Sequence, residues 1–390
     1  LKKIEINGKS ARKFEGGYPV IDKDDLVNPK DFTEGEWIAL VSHNHFVAKG
    51  YFAKAGRGIG WILSIKENED IDERFFSKLF RAALMRRQNL LSGGIVKNYR
   101  LFNGIGDGLG GLTIDVFENN YVIAYDNDAL YQQNRLIMSA FNDVINKPNT
   151  VIVRRRGDKS HQETNQIVVG DAKRLPSTIT ENGIQFPIDL TGTPVVEPAL
   201  EYRHVRQLLK DRSDKSTYLN LFAGQSGLTI AAAVGGALKT VTVDDSKRTI
   251  KLVDDQLALN QTLSDGHETR AMAVFGYLDY AIKHELQFDT VSVNPPAFLR
   301  GKKRDFSLQK DLEDLLLQAA TVTKKGGELI VMIRDTDMTE KKMNTVISEL
   351  VASTNGEFKV EQRLDNEADF TISSEFRHAD SLKAVILKRY

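Results

Sequence analysis

The chain has 390 residues, 53 basic and 53 acidic side chains, and no cysteine. That length exceeds one ordinary hydrophobic core, so two or three domains are expected, and 41% hydrophobic with 27% charged residues is the make-up of a soluble globular protein. The missing cysteines exclude disulfides, thiolate metal sites and a cysteine nucleophile. No apolar run reaches the roughly 18 residues that a membrane span needs, and "LKKIEINGKSARKFEGG" lacks the apolar centre of a secretion signal. A cytoplasmic protein that does not enter a membrane is expected. Zero net charge argues against non-specific coating of nucleic acid and leaves room for a local basic patch.

Residues 1–72 read as short strands, "KIEIN", "EWIALVSH", "HFVAKGYFA" and "GIGWILSI", separated by Gly and Asn/Asp turns. This is the pattern of a small β-barrel. Residues 73–91 read as an amphipathic helix with Phe75, Phe76, Leu79, Phe80, Ala83 and Leu84 on one face. Arg86 and Arg87 stand at its C-terminal end, where the helix dipole favours cations. "YRLFNGIGDGLGGLTIDVFENNYVIAYD" alternates around Gly-rich turns and predicts a hairpin. No Lys-Ser/Thr helix follows its glycines, so it is not a phosphate loop. "NDALYQQNRLIMSAFNDVI" predicts a helix and "TVIVRRR" a strand, which makes residues 73–190 an α+β domain. From Tyr218 the rhythm changes to strands alternating with helices. An α/β domain with a parallel sheet covered by helices is expected over 191–390.

Three motifs carry chemistry. In "NLFAGQSGL", a strand ends, Gly224 and Gly227 turn the chain, and a helix begins. The glycines let the backbone approach a ligand, although the Gly-x-x-Gly spacing is not the dinucleotide fingerprint and also fits an ordinary tight turn. In "VTVDD", Asp244 lies about 20 residues further on, where an acid accepts hydrogen bonds from ribose hydroxyls. Asp245 or Ser246 also suits a helix cap. In "VNPPAFLRGKKRD", Asn294 follows the fourth strand of the α/β pattern and should lie beside the glycine turn. The prolines fix the backbone and remove two donors. The Asn294 amide oxygen and the Pro295 carbonyl can then accept both hydrogens of an exocyclic amine, and Phe298 can stack on the base. The alternative is a rigid turn over a buried Phe. Lys302, Lys303 and Arg304 follow, at the mouth of such a site, where they suit RNA phosphates. Lys97 with Tyr99 and Arg100, and Arg154 to Arg156, are further basic clusters. His43 and His45 have no metal-ligand context, and no metal is expected.

The order "NLFAGQSG", "VDD", "NPPAF" resembles class I S-adenosylmethionine-dependent methyltransferases. With "RLFNGIGDGLGGLTID", "LEYRHVR", "AAAVGGA", "VDDSKR" and "LLQAATVTKKGG", nearly the whole chain resembles the large-subunit ribosomal RNA cytosine-C5 methyltransferase family (RlmI-like). The resemblance implies an N-terminal PUA-like RNA-binding barrel, a small middle domain and a Rossmann-like catalytic domain. It implies S-adenosylmethionine as cofactor and ribosomal RNA, most simply 23S, as substrate. Residue by residue, it implies Asn220, Phe222, Ala223, Gly224 and Gly227 at the methionine end of the cofactor, and Asp244 with Asp245 at the ribose. Asn294 and Pro295 would face the methyl donor and the base, and Arg203 and Arg206 the cofactor or RNA. Those arginines equally suit salt bridges.

The departures from that family are chemical. Asn294 stands where the family has Asp, and Ala273 where it has an acid near the adenine, with Asp279 out of register. In "VMIRDTDMT", Arg334, Asp335, Thr336 and Asp337 stand where the family has its cysteine. Cytosine C5 is methylated after a thiolate adds to C6. An amine nitrogen needs mainly positioning. Methylation of an exocyclic amine on an RNA base is therefore expected in place of the C5 reaction. A small-molecule or protein methyltransferase, or an RNA-binding protein whose catalytic centre has decayed, are the alternatives. An edge-strand homodimer is compatible with the sequence.

Overall fold

A computed structural model describes residues 1–53, 58–156, 164–262, 265–301, 305–335, 337–376 and 382–390. Two compact units account for the chain. One is Leu1–Pro176 with Asp189–Val195 and Ala368–Ala379, and the other is Ser177–Ile188 with Val196–Glu367 and Asp380–Tyr390.

In the first unit, the N-terminal strands Lys2–Glu5, Val20–Ile21, Trp37–Ser42, His45–Phe52 and Gly60–Ser64 form one sheet. The sequence left the helix Gly8–Glu15 unread, because only Ala11 and Phe14 supply its apolar contacts among Lys9, Arg12 and Lys13. Asn7 caps it, its side chain accepting from the Ser10 N–H. The amphipathic helix is Glu73–Arg86, capped by Asp72 and burying Phe75, Phe76, Phe80 and Ala83. A second sheet runs, in spatial order, Thr164–Val169, Thr150–Arg155, Asn120–Tyr125, Leu112–Phe117, Asn98–Asn103. The N-terminal strands have an apolar cluster of their own, with Ile4, Phe14, Ile38, Leu40 and Phe52 at its centre. Val20, Tyr51 and Trp61 of the first sheet share one apolar cluster with Phe76, Phe80, Leu112 and Phe141. Arg87, fully buried, donates to Asp107 Oδ2 at 2.7 Å and to the Asp369 carbonyl at 2.6 Å, which fastens the late segment 368–376 to this core.

The second unit holds a seven-stranded sheet among the described residues, its strands numbered here in chain order. They are β1 (Thr217–Leu221), β2 (Lys239–Asp244), β3 (His267–Ala271), β4 (Phe288–Val293), β5 (Thr323–Arg334), β6 (Phe358–Leu364) and β7 (Leu382–Arg389). The spatial order is β3-β2-β1-β4-β5-β7-β6. Helices α1 (Arg203–Arg212), α2 (Leu228–Val234), α3 (Lys247–Leu259), α4 (Val274–Lys283), α5 (Leu308–Thr321) and α6 (Glu340–Ser353) alternate with the strands. The expected parallel sheet holds for β1 to β5. It becomes mixed at the far side, where β7 runs antiparallel to both β5 and β6. Burial explains the order. The first six residues of β7 are all buried, as an interior strand requires, whereas β6 buries only Phe358. The hairpin Thr178–Glu181/Ile184–Pro187, which the sequence left unread within the stretch 73–190, belongs to this unit: Gln185 exchanges two 2.8 Å hydrogen bonds with Asn260 of the α3 C-terminus. No described helix is long and apolar enough to cross a membrane.

Candidate active site

The carboxyl ends of β1, β2, β4 and β5 meet at one edge of the sheet, where the ligand of an open α/β fold lies. Backbone bonds set the junction. The Phe222 N–H donates to the Val243 carbonyl at 3.0 Å, and the Asn294 N–H to the Leu221 carbonyl at 3.2 Å. The turn after β1 is built on positive φ angles: +60° at Phe222, +51° at Gly224 and +70° at Gly227. For the bulky Phe222 this is strained backbone, of the kind that concentrates at functional sites. Its ring is buried against Phe306, centroids 5.3 Å apart, so Phe222 offers the turn its main chain and not its side chain. The two glycines differ in their surroundings. A Cβ at Gly227 would come within 2.6 Å of the Phe186 ring, whereas a Cβ at Gly224 would meet nothing within 4 Å.

Asp244 closes the other side of the turn. Its Oδ2 accepts from the Gly224 N–H at 3.2 Å and its Oδ1 from the Ser246 N–H at 2.9 Å. Burial pushes its carboxyl above the ordinary Asp value, with the nearby Asp245 adding to the effect and the two N–H donors opposing it. Thr249 also donates to this carboxylate, so three donors stand against its roughly four acceptor sites. Ser246 is the cap of α3, its Oγ accepting from the Thr249 N–H at 3.2 Å, and Asp245 is exposed.

Two expectations for this turn need correction. Asn220 is 1% exposed, with its amide donating to Thr229 Oγ1 at 2.9 Å and accepting from Ser292 Oγ at 3.0 Å. It braces β1 against α2 and β4 from within the sheet, and does not present its side chain to a ligand. Arg203 and Arg206 do not reach for RNA. Arg206 is fully buried, bidentate on Glu181 with both contacts 2.7 Å, and its Nη1 donates to the carbonyls of Ala199 and Ser226 at 2.8 Å each. Arg203, also buried, pairs with Glu367 at 2.9 Å. Although burial alone would raise the Glu367 carboxyl, the hydrogen bond from His204 and the charge of Arg203 hold it below its usual value.

On the substrate side, Pro295 is buried and Asn294 half-buried, its Oδ1 accepting from the Tyr202 hydroxyl at 2.9 Å. Phe298 is 57% exposed on the short antiparallel pair Phe298–Leu299/Phe306–Ser307, so the alternative of a buried Phe does not hold. Arg334, at the end of β5, donates to Glu201 Oε1 at 2.5 Å. Lys302, Lys303, Arg304 and Thr336 lie outside the described residues. The remaining basic clusters are largely consumed inside the first unit. Arg100 pairs with Asp115, Arg155 with Asp128, Arg156 with Asp126 and Arg86 with Asp107, and the buried Arg154 donates to Asn165. Glu181, Glu201 and Tyr202 escaped the sequence reading. The last two sit inside "LEYRHVR", where only the arginines drew notice, and Glu181 has no local signal.

An open space beside Gly224, the acceptor Asp244 at the end of β2 and Asn-Pro-Pro at the end of β4 stand together at this edge, an arrangement that suits a nucleoside cofactor. A PUA-like domain model matches residues 4–65, and an S-adenosylmethionine-dependent methyltransferase model matches residues 158–388. YwbD of Bacillus subtilis (strain 168), provisionally named a ribosomal RNA large subunit methyltransferase, is 33% identical over 396 residues, covering 100% of both chains. Ribosomal RNA large subunit methyltransferase I of Vibrio parahaemolyticus is 25% identical over 91% of this chain and 90% of its own. The crystal structure of SMU.776, provisionally assigned as a methyltransferase and solved with SAH, superimposes with a TM-score of 0.88 at 26% identity over 100% of both chains. The chain belongs to the S-adenosylmethionine-dependent methyltransferase family. Its cofactor is S-adenosylmethionine.

The glycines give a paired prediction. Gly227→Ala places a methyl against Phe186 at a left-handed backbone and destabilises the fold by more than the ~1–2 kcal/mol of the backbone term alone. Gly224→Ala incurs only the backbone term but fills the open space, so its affinity for S-adenosylhomocysteine falls about tenfold, some 1.4 kcal/mol. Urea unfolding and titration calorimetry measure the two effects separately.

Proposed function

We propose that the protein methylates a nitrogen of an RNA base, with large-subunit ribosomal RNA as substrate and an exocyclic amine as the favoured target. The observation that carries the nitrogen reading is the absence of cysteine from all 390 residues, together with Asn294-Pro295 beside the glycine turn. Without a thiolate to add at C6, cytosine C5 is a poor nucleophile. A nitrogen lone pair needs only to be freed and aimed. The names of the relatives and the PUA-like match support RNA as substrate, and a ribosomal substrate puts the protein in the cytoplasm.

When bound, S-adenosylmethionine supplies an electrophilic methyl on a sulfonium. The chain's own groups do the rest. Gly224 leaves room for the methionine end, and Asp244 accepts from the ribose hydroxyls. Asn294 and the Pro295 carbonyl hold the target nitrogen, with the exposed Phe298 stacked on its base. The Tyr202 contact favours a second reading. With Tyr202 on Oδ1, the Asn294 NH2 is left to donate, which suits a ring nitrogen next to a base carbonyl.

Labelled S-adenosylmethionine and ribosomal RNA from cells lacking the protein test the proposal. Digestion and mass spectrometry are expected to find the label on a base nitrogen, with transfer reduced at least 100-fold in Asn294→Ala. A label on cytosine C5, or an Asn294→Ala protein at wild-type rate, contradicts it. Asp244 adds a pH dependence. Protonation removes its acceptors for the ribose, and its raised pKa moves that loss to higher pH than an ordinary carboxylate would show. Affinity for S-adenosylhomocysteine is expected to weaken on acidification from above the usual carboxylate range, and Asp244→Asn to bind weakly with that dependence gone.

A further inference from the structure

Two consecutive buried side chains, Glu201 and Tyr202, come off the 3-10 turn Leu200–Tyr202 just before α1. They reach the ends of two neighbouring strands. The Tyr202 hydroxyl donates to Asn294 Oδ1 at 2.9 Å, one residue beyond β4, and Glu201 Oε1 accepts from Arg334 Nη1 at 2.5 Å, on the last residue of β5. The turn has a firm base. The Ala199 carbonyl accepts from the buried Arg206 at 2.8 Å, and the Ala199 N–H donates to the Gln225 carbonyl at 3.2 Å. With Tyr202 only 5% exposed, its hydroxyl is held at a fixed place beside the substrate edge.

That placement matters because of how an asparagine moves. Its terminal torsion is soft and roughly two-fold. Half a turn exchanges the acceptor oxygen for the donor NH2, and so reverses the hydrogen-bonding edge offered to a base. A hydroxyl at 2.9 Å on Oδ1 restrains that torsion.

We propose that Tyr202 is a positioning residue for methyl transfer, fixing the Asn294 amide so that one defined edge faces the target nitrogen. The inference rests on the role proposed for Asn294 above. Tyr202 does not touch the reacting atoms; it acts through Asn294.

Tyr202→Phe keeps the ring and its packing and removes only the oxygen. With labelled cofactor and ribosomal RNA, kcat is expected to fall about 10- to 100-fold, the scale of a misplaced positioning group. The KM for S-adenosylmethionine and the Kd for S-adenosylhomocysteine are expected to stay within about twofold. A packing role alone would not produce that split. A Tyr202→Phe protein with wild-type kcat overturns the inference, and so does a variant that loses only stability or cofactor affinity. Asn294→Ala, assayed alongside, separates the two failures. If Asn294→Ala is slow while Tyr202→Phe is not, the inference alone falls. If both turn over at the wild-type rate, the proposed function falls as well.

Discussion

The guanidinium of Arg206 holds the site together. It is completely buried, and four of its five N–H donors are taken up, two by Glu181 and one each by the Ala199 and Ser226 carbonyls. A buried charge is costly unless it is paired and every donor is met. Here the pairing is bidentate, which is the strongest form, and the Phe186 ring lies 5.3 Å from the guanidinium carbon. The partners come from three places: the hairpin 178–187, the segment before the Tyr202 turn, and the glycine turn itself. A lysine offers one point charge and cannot span them. Loss of either ion partner would leave the other charge buried alone, at a cost of about 3–5 kcal/mol.

A second, uncharged network supports the turn from inside the sheet. Asn220 bonds Thr229 of α2 and Ser292 of β4, Thr229 bonds Thr242 of β2, and Ser292 bonds Tyr218 of β1. Three strands and a helix are thus locked in register where the strained Phe222 backbone begins. Burial pushes the pKa of the Tyr218 hydroxyl far up against the opposing hydrogen bond with Ser292, so it remains a neutral donor or acceptor. Such networks specify one arrangement when every member is satisfied. They explain how a turn with two glycines and a strained phenylalanine can be held still.

The legible parts of this molecule were the local ones. Strands β1, β2, β4 and β5 read as apolar runs because they are buried on both faces, and the glycine turn, Asp244 and Asn294 each sit at a strand end that sequence rhythm can locate. The illegible parts were pairings at long separation. Glu181 meets Arg206 across 25 residues and Tyr202 meets Asn294 across 92, and nothing local announces either. Arginine misled for the same reason. Arg203 and Arg206 read as surface cations, since charged residues are seldom buried unless paired, and their partners could not be seen. The mixed far side of the sheet was hidden because alternation of strands and helices gives no direction to the last strand, β7.

Hydrogen exchange on Arg206→Lys tests the central claim most directly. The account predicts that the amides of 199–202 and of 223–227 lose protection together, while those of β1 and β4 keep theirs. Loss confined to one of the two segments, or to neither, would contradict the view that one buried guanidinium holds both the cofactor turn and the substrate-side turn.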